Sequence, residues 1–240
     1  MNEDRSRYNP WPLGKLPKKF QRPEIDQLRK AGYDIDDPRE ANKLFEAKLC
    51  EFTGAKHAIL IDSCTDANLL TLMYYKKRQG TFGALVLPAR TYISVPQSAK
   101  QAGWIVRFVD YNWSGIHQFD PLPVWDAAAR FTEGMYIPGS TMNLSFQIKK
   151  RLPIGKGGAI LTDDSTAADW YRKMTMQGRN VNLAYDRDII DYMGYNMYMT
   201  PEDAARGILL FDMLTAKTRT FEDTMNQSNY TDLRLQKVFK

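Results

Sequence analysis

Six short apolar runs, each closed by turn residues, most constrain what this chain of 240 residues can fold into. They are Ala58-Ile59-Leu60-Ile61, Ala84-Leu85-Val86-Leu87, Trp104 to Val109, Leu122 to Trp125, Leu144 to Phe146 and Gly158-Ala159-Ile160-Leu161-Thr162. Between and around them lie stretches of helical period: Pro38 to Phe52, Asp66 to Tyr75, Ser94 to Gln101 and Ser165 to Met176. Strands without polar alternation are buried on both faces, and helical connections cover those faces. The pattern predicts an α/β fold with a mostly parallel central sheet and helices on both sides. A last helix is announced by Thr200-Pro201-Glu202-Asp203, a threonine cap with proline in the first turn and an acid three residues on, followed by the apolar run Ala204 to Leu214.

Pro10, Pro12, Pro17 and Pro23, interleaved with Trp11, Leu13, Leu16 and Phe20, forbid a continuous helix at the start. Residues 1–37 are expected to form an extended arm docked on a surface, 38–215 one large domain and 216–240 a helical remnant. No run reaches the roughly 18 apolar residues of a membrane span. The polar start Met1-Asn2-Glu3-Asp4-Arg5 is no secretory signal. Two cysteines make no disulfide framework, so a cytoplasmic setting is expected. With His57 and His117 the only histidines, a histidine-based metal site is set aside. A net charge of +5 permits anionic ligands, but no recognition helix or aromatic platform for nucleic acid is visible.

Three segments could carry chemistry. Asp62-Ser63-Cys64-Thr65 lies at a strand-to-helix turn, where free backbone N–H groups form an anion site, although serine and threonine there are equally plain helix caps. Val124-Trp125-Asp126 ends a strand in a carboxylate, at the sheet edge where α/β proteins place ligands; it also fits a turn aspartate. Ser145-Phe146-Gln147-Ile148-Lys149-Lys150 followed by Gly155-Lys156-Gly157-Gly158 is either a solvated basic loop or a lysine held for imine formation beside a tight glycine turn. Together they meet the needs of pyridoxal 5'-phosphate (PLP): an anion cradle, a carboxylate for the ring nitrogen, a flat side chain over the ring and a lysine for the aldehyde.

In their order and spacing these residues resemble the DegT/StrS-type sugar aminotransferases, within the fold type I (aspartate aminotransferase) superfamily of PLP enzymes. The resemblance runs from Phe45-Glu46 and Phe52-Thr53-Gly54 through Ser63-Cys64-Thr65-Asp66-Ala67, Pro88-Ala89-Arg90-Thr91-Tyr92, Asp126-Ala127-Ala128, Ser145-Phe146 and Lys150. It continues in Gly155-Lys156-Gly157-Gly158-Ala159, Gly194-Tyr195-Asn196 and Ala204-Ala205-Arg206-Gly207, some 170 residues in all. It implies Lys150 as Schiff-base lysine and proton shuttle, Asp126 on the pyridinium nitrogen and Tyr92 stacked on the ring. It implies phosphate contacts from Cys64, Thr65 and Ser145, and Asn196 reaching the cofactor phosphate of a neighbouring subunit in a homodimer with shared active sites. The implied reaction moves an amino group from an amino acid, glutamate being expected, to a carbonyl acceptor such as a keto sugar or nucleotide sugar.

Departures accompany the match. Cys64 stands where the family has glycine. Ala129, followed by Arg130, replaces a glutamine or histidine, and Tyr198 replaces an arginine. The small C-terminal domain is expected to be largely absent, leaving the partner subunit and the arm to contact the substrate. Elimination, dehydration or decarboxylation on the same cofactor, and a non-catalytic binding role, are the alternatives.

Overall fold

The computed structural model describes residues 21–80 and 83–240. The start of the expected arm, up to Phe20, lies outside the described residues. Within the rest of that stretch the chain is helical rather than extended: α1 spans Glu24–Lys30. Pro23 occupies the N-cap, where a missing N–H costs nothing, and Glu24 and Asp26 in the first turn with Arg29 and Lys30 in the last suit the helix dipole. Ile25 and Leu28 then bury one face.

Among the described residues six α-helices and seven strands follow one another, six of the strands falling on the apolar runs and β4 being additional. After α1 come α2 (Glu40–Thr53), β1 (His57–Ile61), α3 (Cys64–Gln79), β2 (Ala84–Pro88), α4 (Ser94–Gln101) and β3 (Ile105–Val109). Next are β4 (His117–Gln118), β5 (Val124–Asp126), β6 (Thr141–Ser145), β7 (Gly158–Thr162), α5 (Ser165–Thr175) and α6 (Pro201–Thr215). Gly54 stops α2 in the left-handed conformation at φ 88°. Thr200 caps α6 by accepting the Asp203 N–H.

One sheet runs β1-β7-β6-β5-β4, and β2 pairs with β3 alongside it. The sheet is mixed, where mostly parallel pairing is expected from sequence: β5–β6 and β2–β3 are parallel, but β7 is antiparallel to both β1 and β6, and β4 to β5. The reason lies in the connection. Residues 146–157 join β6 to β7 without a helix, and a chain returning with no crossover must run antiparallel.

Alternation along the strands explains why they read as unbroken apolar runs. Ala58, Leu60, Met142, Leu144, Ala159 and Leu161 face α2 and α6 in the larger core. Ile59, Ile61 and Ile160 point the other way, onto α3 and α5. Leu85 and Leu87 pack with α4 in a third cluster. Helices therefore cover both faces.

The last segment differs from the helical remnant expected. Beyond α6 the chain forms a strap with three short 3₁₀ turns, at Gln227–Asn229, Leu233–Leu235 and Lys237–Phe239, laid back along the large domain. Among the described residues, no helix is long and apolar enough to cross a membrane.

Candidate active site

The C-terminal ends of β1, β5 and β6, the first turns of α3 and α4, and the strap enclose a cavity of about 430 Å³. Cys64, Thr65, Tyr92, Asp126, Ser145 and Lys150 all line it. Asn196 does not; it sits exposed on the loop between α5 and α6, bridged to Met176.

Asp126 ends β5 with only 6% of its surface exposed. The Asn68 side-chain amide donates to its Oδ2 at 2.7 Å and the Ala128 N–H to its Oδ1 at 2.9 Å. Among the described residues no cation pairs with this carboxylate. A buried carboxylate held by neutral donors alone is a site for a protonated ring nitrogen, because an unpaired charge in the interior is costly. Asn68 is in turn fixed by Asn143, whose amide donates to Asn68 Oδ1 at 2.8 Å and to Thr71 Oγ1 at 3.0 Å.

At the other end of the cavity, α3 and α4 aim their first turns inward. Ser63 does cap α3, accepting the Asp66 N–H at 3.1 Å. Thr65 Oγ1 donates to Ser94 Oγ at 2.9 Å, and Ser98 Oγ to the Thr65 carbonyl oxygen at 3.0 Å, which ties the two helix starts together. Two N-termini and their hydroxyls are together groups that could hold an anion. The glycine turn serves these helix starts by close packing. A Cβ on Gly158 would lie 2.7 Å from the Leu144 carbonyl oxygen and 2.8 Å from the Cys64 nitrogen, both backbone atoms. Gly158→Ala is expected to cost about 1–3 kcal/mol of stability by overpacking, measured by urea unfolding, and to weaken binding of an anion at α3. An unchanged midpoint would show that the backbone there yields freely.

Lys150 lies in a turn closed by its own N–H donating to the Gln147 carbonyl oxygen at 2.8 Å, and its Nζ donates to Met225 Sδ at 3.6 Å. Lys149 and Lys156 also line the cavity, but Lys156 is committed to Asp62 at 3.0 Å. Cys64 is buried, its Sγ 3.5 Å from the Asn143 carbonyl oxygen; burial first, and the nearby Asp126 charge second, push its thiol well up, so it is packing rather than a nucleophile. Tyr92 is 59% exposed at the mouth, free to lie over a ligand. Ala129 lines the cavity, while Arg130 is turned away to Asp223.

Sequence reasoning passed over several residues that shape the site. Asn68 and Thr71 are polar positions on the buried face of α3, a signal legible in its helical period. His117 is buried on β4 opposite Asp126, its Nε2 2.9 Å from Thr91 Oγ1, and burial pushes its imidazole down, so it is neutral. Trp113, Met225 and Tyr230 complete the wall.

Asp62, just before the cradle, has its carboxyl pushed up to about 6, by burial first and by Asp66 next. A folded value above the unfolded 3.8 means that this stabilising contribution is full below about pH 4 and is lost as pH rises through about 6. Asp62→Asn should therefore flatten the change in melting temperature between pH 4 and 7. An unaltered slope would contradict the assignment.

The site can now be set beside known proteins. The model of the DegT/DnrJ/EryC1/StrS aminotransferase family matches residues 19–135 and 137–231. The chain belongs to that family. The Bacillus subtilis (strain 168) spore coat polysaccharide biosynthesis protein SpsC is 22% identical over 259 aligned positions, covering 87% of this chain; the chain spans 65% of that relative's length. The PLP form of a putative sugar aminotransferase, Spr1654 from Streptococcus pneumoniae, superposes with TM-score 0.62 at 14% identity, over 82% of this chain and 65% of the other. Helicobacter pylori PseC, an aminotransferase of pseudoaminic acid biosynthesis, gives 0.60 at 15%, over 83% and 64%. These likenesses show the fold: α/β, of the type I PLP-enzyme kind. Membership of the DegT/DnrJ/EryC1/StrS family also accounts for the order of motifs along the chain.

Proposed function

We propose that this chain is a PLP-dependent aminotransferase that takes an amino group from an amino acid, glutamate foremost, and delivers it to a carbonyl carbon of a sugar or nucleotide sugar. The observation that carries the reading is the shared cavity: a buried carboxylate that pairs with no cation among the described residues, a double helix start and a lysine amine open on one space. Those groups fit PLP. Asp126 would hold the ring nitrogen, the backbone of Cys64 and Thr65 with the Thr65 and Ser145 hydroxyls the phosphate, and Tyr92 would cover the ring. Bound there, PLP supplies an electron sink for the pair released at the substrate carbon.

The chain's own side chains do the rest. Lys150 Nζ would hold the cofactor's aldehyde and, as a free amine, would move a proton to and from the substrate carbon. Asp126, fixed by Asn68 and Ala128, would keep the ring nitrogen charged. Asn196, exposed on its loop, would reach the phosphate of a second copy, which makes the working unit a homodimer with shared sites. The sugar class of acceptor is supported by the relatives: one is named for polysaccharide biosynthesis and another is a putative sugar aminotransferase.

Cofactor-loaded protein mixed with L-glutamate alone should release one 2-oxoglutarate per bound cofactor and then stop. Ammonia or carbon dioxide in place of 2-oxoglutarate would move the reading to elimination or decarboxylation.

A further inference from the structure

The strap after α6 is held to the large domain along its length. The Thr224 N–H donates to the Ala129 carbonyl oxygen at 2.8 Å, the Gly115 N–H to that of Met225 at 3.0 Å, and the Leu233 N–H to that of Ala89 at 2.8 Å. Its strongest anchor is an ion pair. Arg130 Nε and Nη2 donate to the two oxygens of Asp223 at 2.8 and 2.7 Å, and Ser114 Oγ donates to the same carboxylate at 3.0 Å. This two-pronged geometry fixes direction as well as distance. The Arg130 hydrogen bonds hold the Asp223 carboxyl below the usual range.

Two residues beyond the anchor the strap enters the cavity. Met225 Sδ accepts from Lys150 Nζ and, at 3.1 Å, from the Tyr230 hydroxyl. The Tyr230 ring stacks on Trp113 with centroids 5.8 Å apart and planes 26° from parallel. Burial, and then the Asp126 charge, push the phenol up to about 12, so at neutral pH it is a donor. A thioether is a weak acceptor, and a phenol resting on one gains by exchanging it for a substrate oxygen.

We propose that Tyr230 is a substrate-contacting residue, its hydroxyl donating to an oxygen of the bound substrate, and that the Arg130–Asp223 pair positions it. This rests on the aminotransferase reading above. Both halves of an amino transfer use one cavity in turn, so the donor amino acid reports on Tyr230 as well as the acceptor does.

The test is the L-glutamate half-reaction on the full chain loaded with PLP, comparing wild type with Tyr230→Phe, Arg130→Ala and Arg130→Lys. PLP affinity is titrated separately by quenching of tryptophan fluorescence, and thermal melts report folding. Tyr230→Phe and Arg130→Ala should each raise the half-saturating glutamate concentration about fivefold, the loss of one hydrogen bond, with PLP affinity within about twofold of wild type. Arg130→Lys should recover at least half of that loss. Glutamate saturation unchanged in Tyr230→Phe would overturn the proposal, as would PLP affinity falling in step with glutamate affinity. Wild-type protein that takes up no PLP would instead remove the parent reading, and this inference with it.

Discussion

Replacing Lys150 by alanine should abolish the absorbance band of the lysine-linked cofactor, leaving that of the free aldehyde, and lower turnover by on the order of 10³-fold or more, while leaving the fold intact. The fold should survive because the lysine contributes little packing: it is part-exposed and its amine donates to the Met225 sulfur, a weak acceptor. The cofactor should still bind, since the cradle at Ser63–Thr65 and Ser94 and the carboxylate of Asp126 are untouched. The signature is thus specific: PLP retained by dialysis, its covalent attachment lost. Neither neighbour can substitute, because Lys156 is paired with Asp62 and Lys149 stands exposed one residue earlier in the same turn. If Lys149→Ala produced the larger loss, the residue at the centre of the site would have been misassigned by one position.

Asp126 is expected to give the second-largest effect, and its two replacements should separate. Asp126→Asn keeps an oxygen for the Ala128 N–H but sets an amide against the Asn68 amide, costing about 1–3 kcal/mol of stability, and it removes the charge that would keep the ring nitrogen protonated. Turnover should fall about 10³-fold. Asp126→Ala strands both the buried Asn68 amide and the part-buried Ala128 N–H and should cost roughly 2–4 kcal/mol of stability, read by urea unfolding. Were Asp126→Asn to keep turnover within tenfold of wild type, the carboxylate would be structural, and the account of the cavity would need another ring-nitrogen partner.

Much of this molecule is legible before any coordinates. The strands announce themselves because they are buried on both faces, and Thr200-Pro201 marks the start of α6 because a cap and a first-turn proline have few other uses. The misreadings share a cause: the deciding contact is remote or acts through an absence. Pro23 reads as a breaker, yet at an N-cap it starts α1, which is held by Ile25 and Leu28 against residues nearly two hundred positions away. The antiparallel course of β7 follows from the missing helix between Phe146 and Gly157, a signal present in the sequence and outweighed by the general α/β pattern. The strap has no period at all. Its path depends on Arg130 meeting Asp223, 93 residues on, and on backbone bonds to Ala89, Trp113, Gly115, Ala129 and Glu133. In the cavity, Asp126, Lys150 and Thr65 could be picked out from the motifs they stand in, whereas Asn68, His117 and Tyr230 line it and carry no motif of their own.

The most direct test of the central claim is chemical. The protein loaded with PLP is reduced with borohydride, digested and mapped by mass. One modified residue is expected, Lys150, with the mark absent from the Lys150→Ala protein. Modification spread over Lys149, Lys150 and Lys156, or none at all, would contradict a single amine poised opposite Asp126.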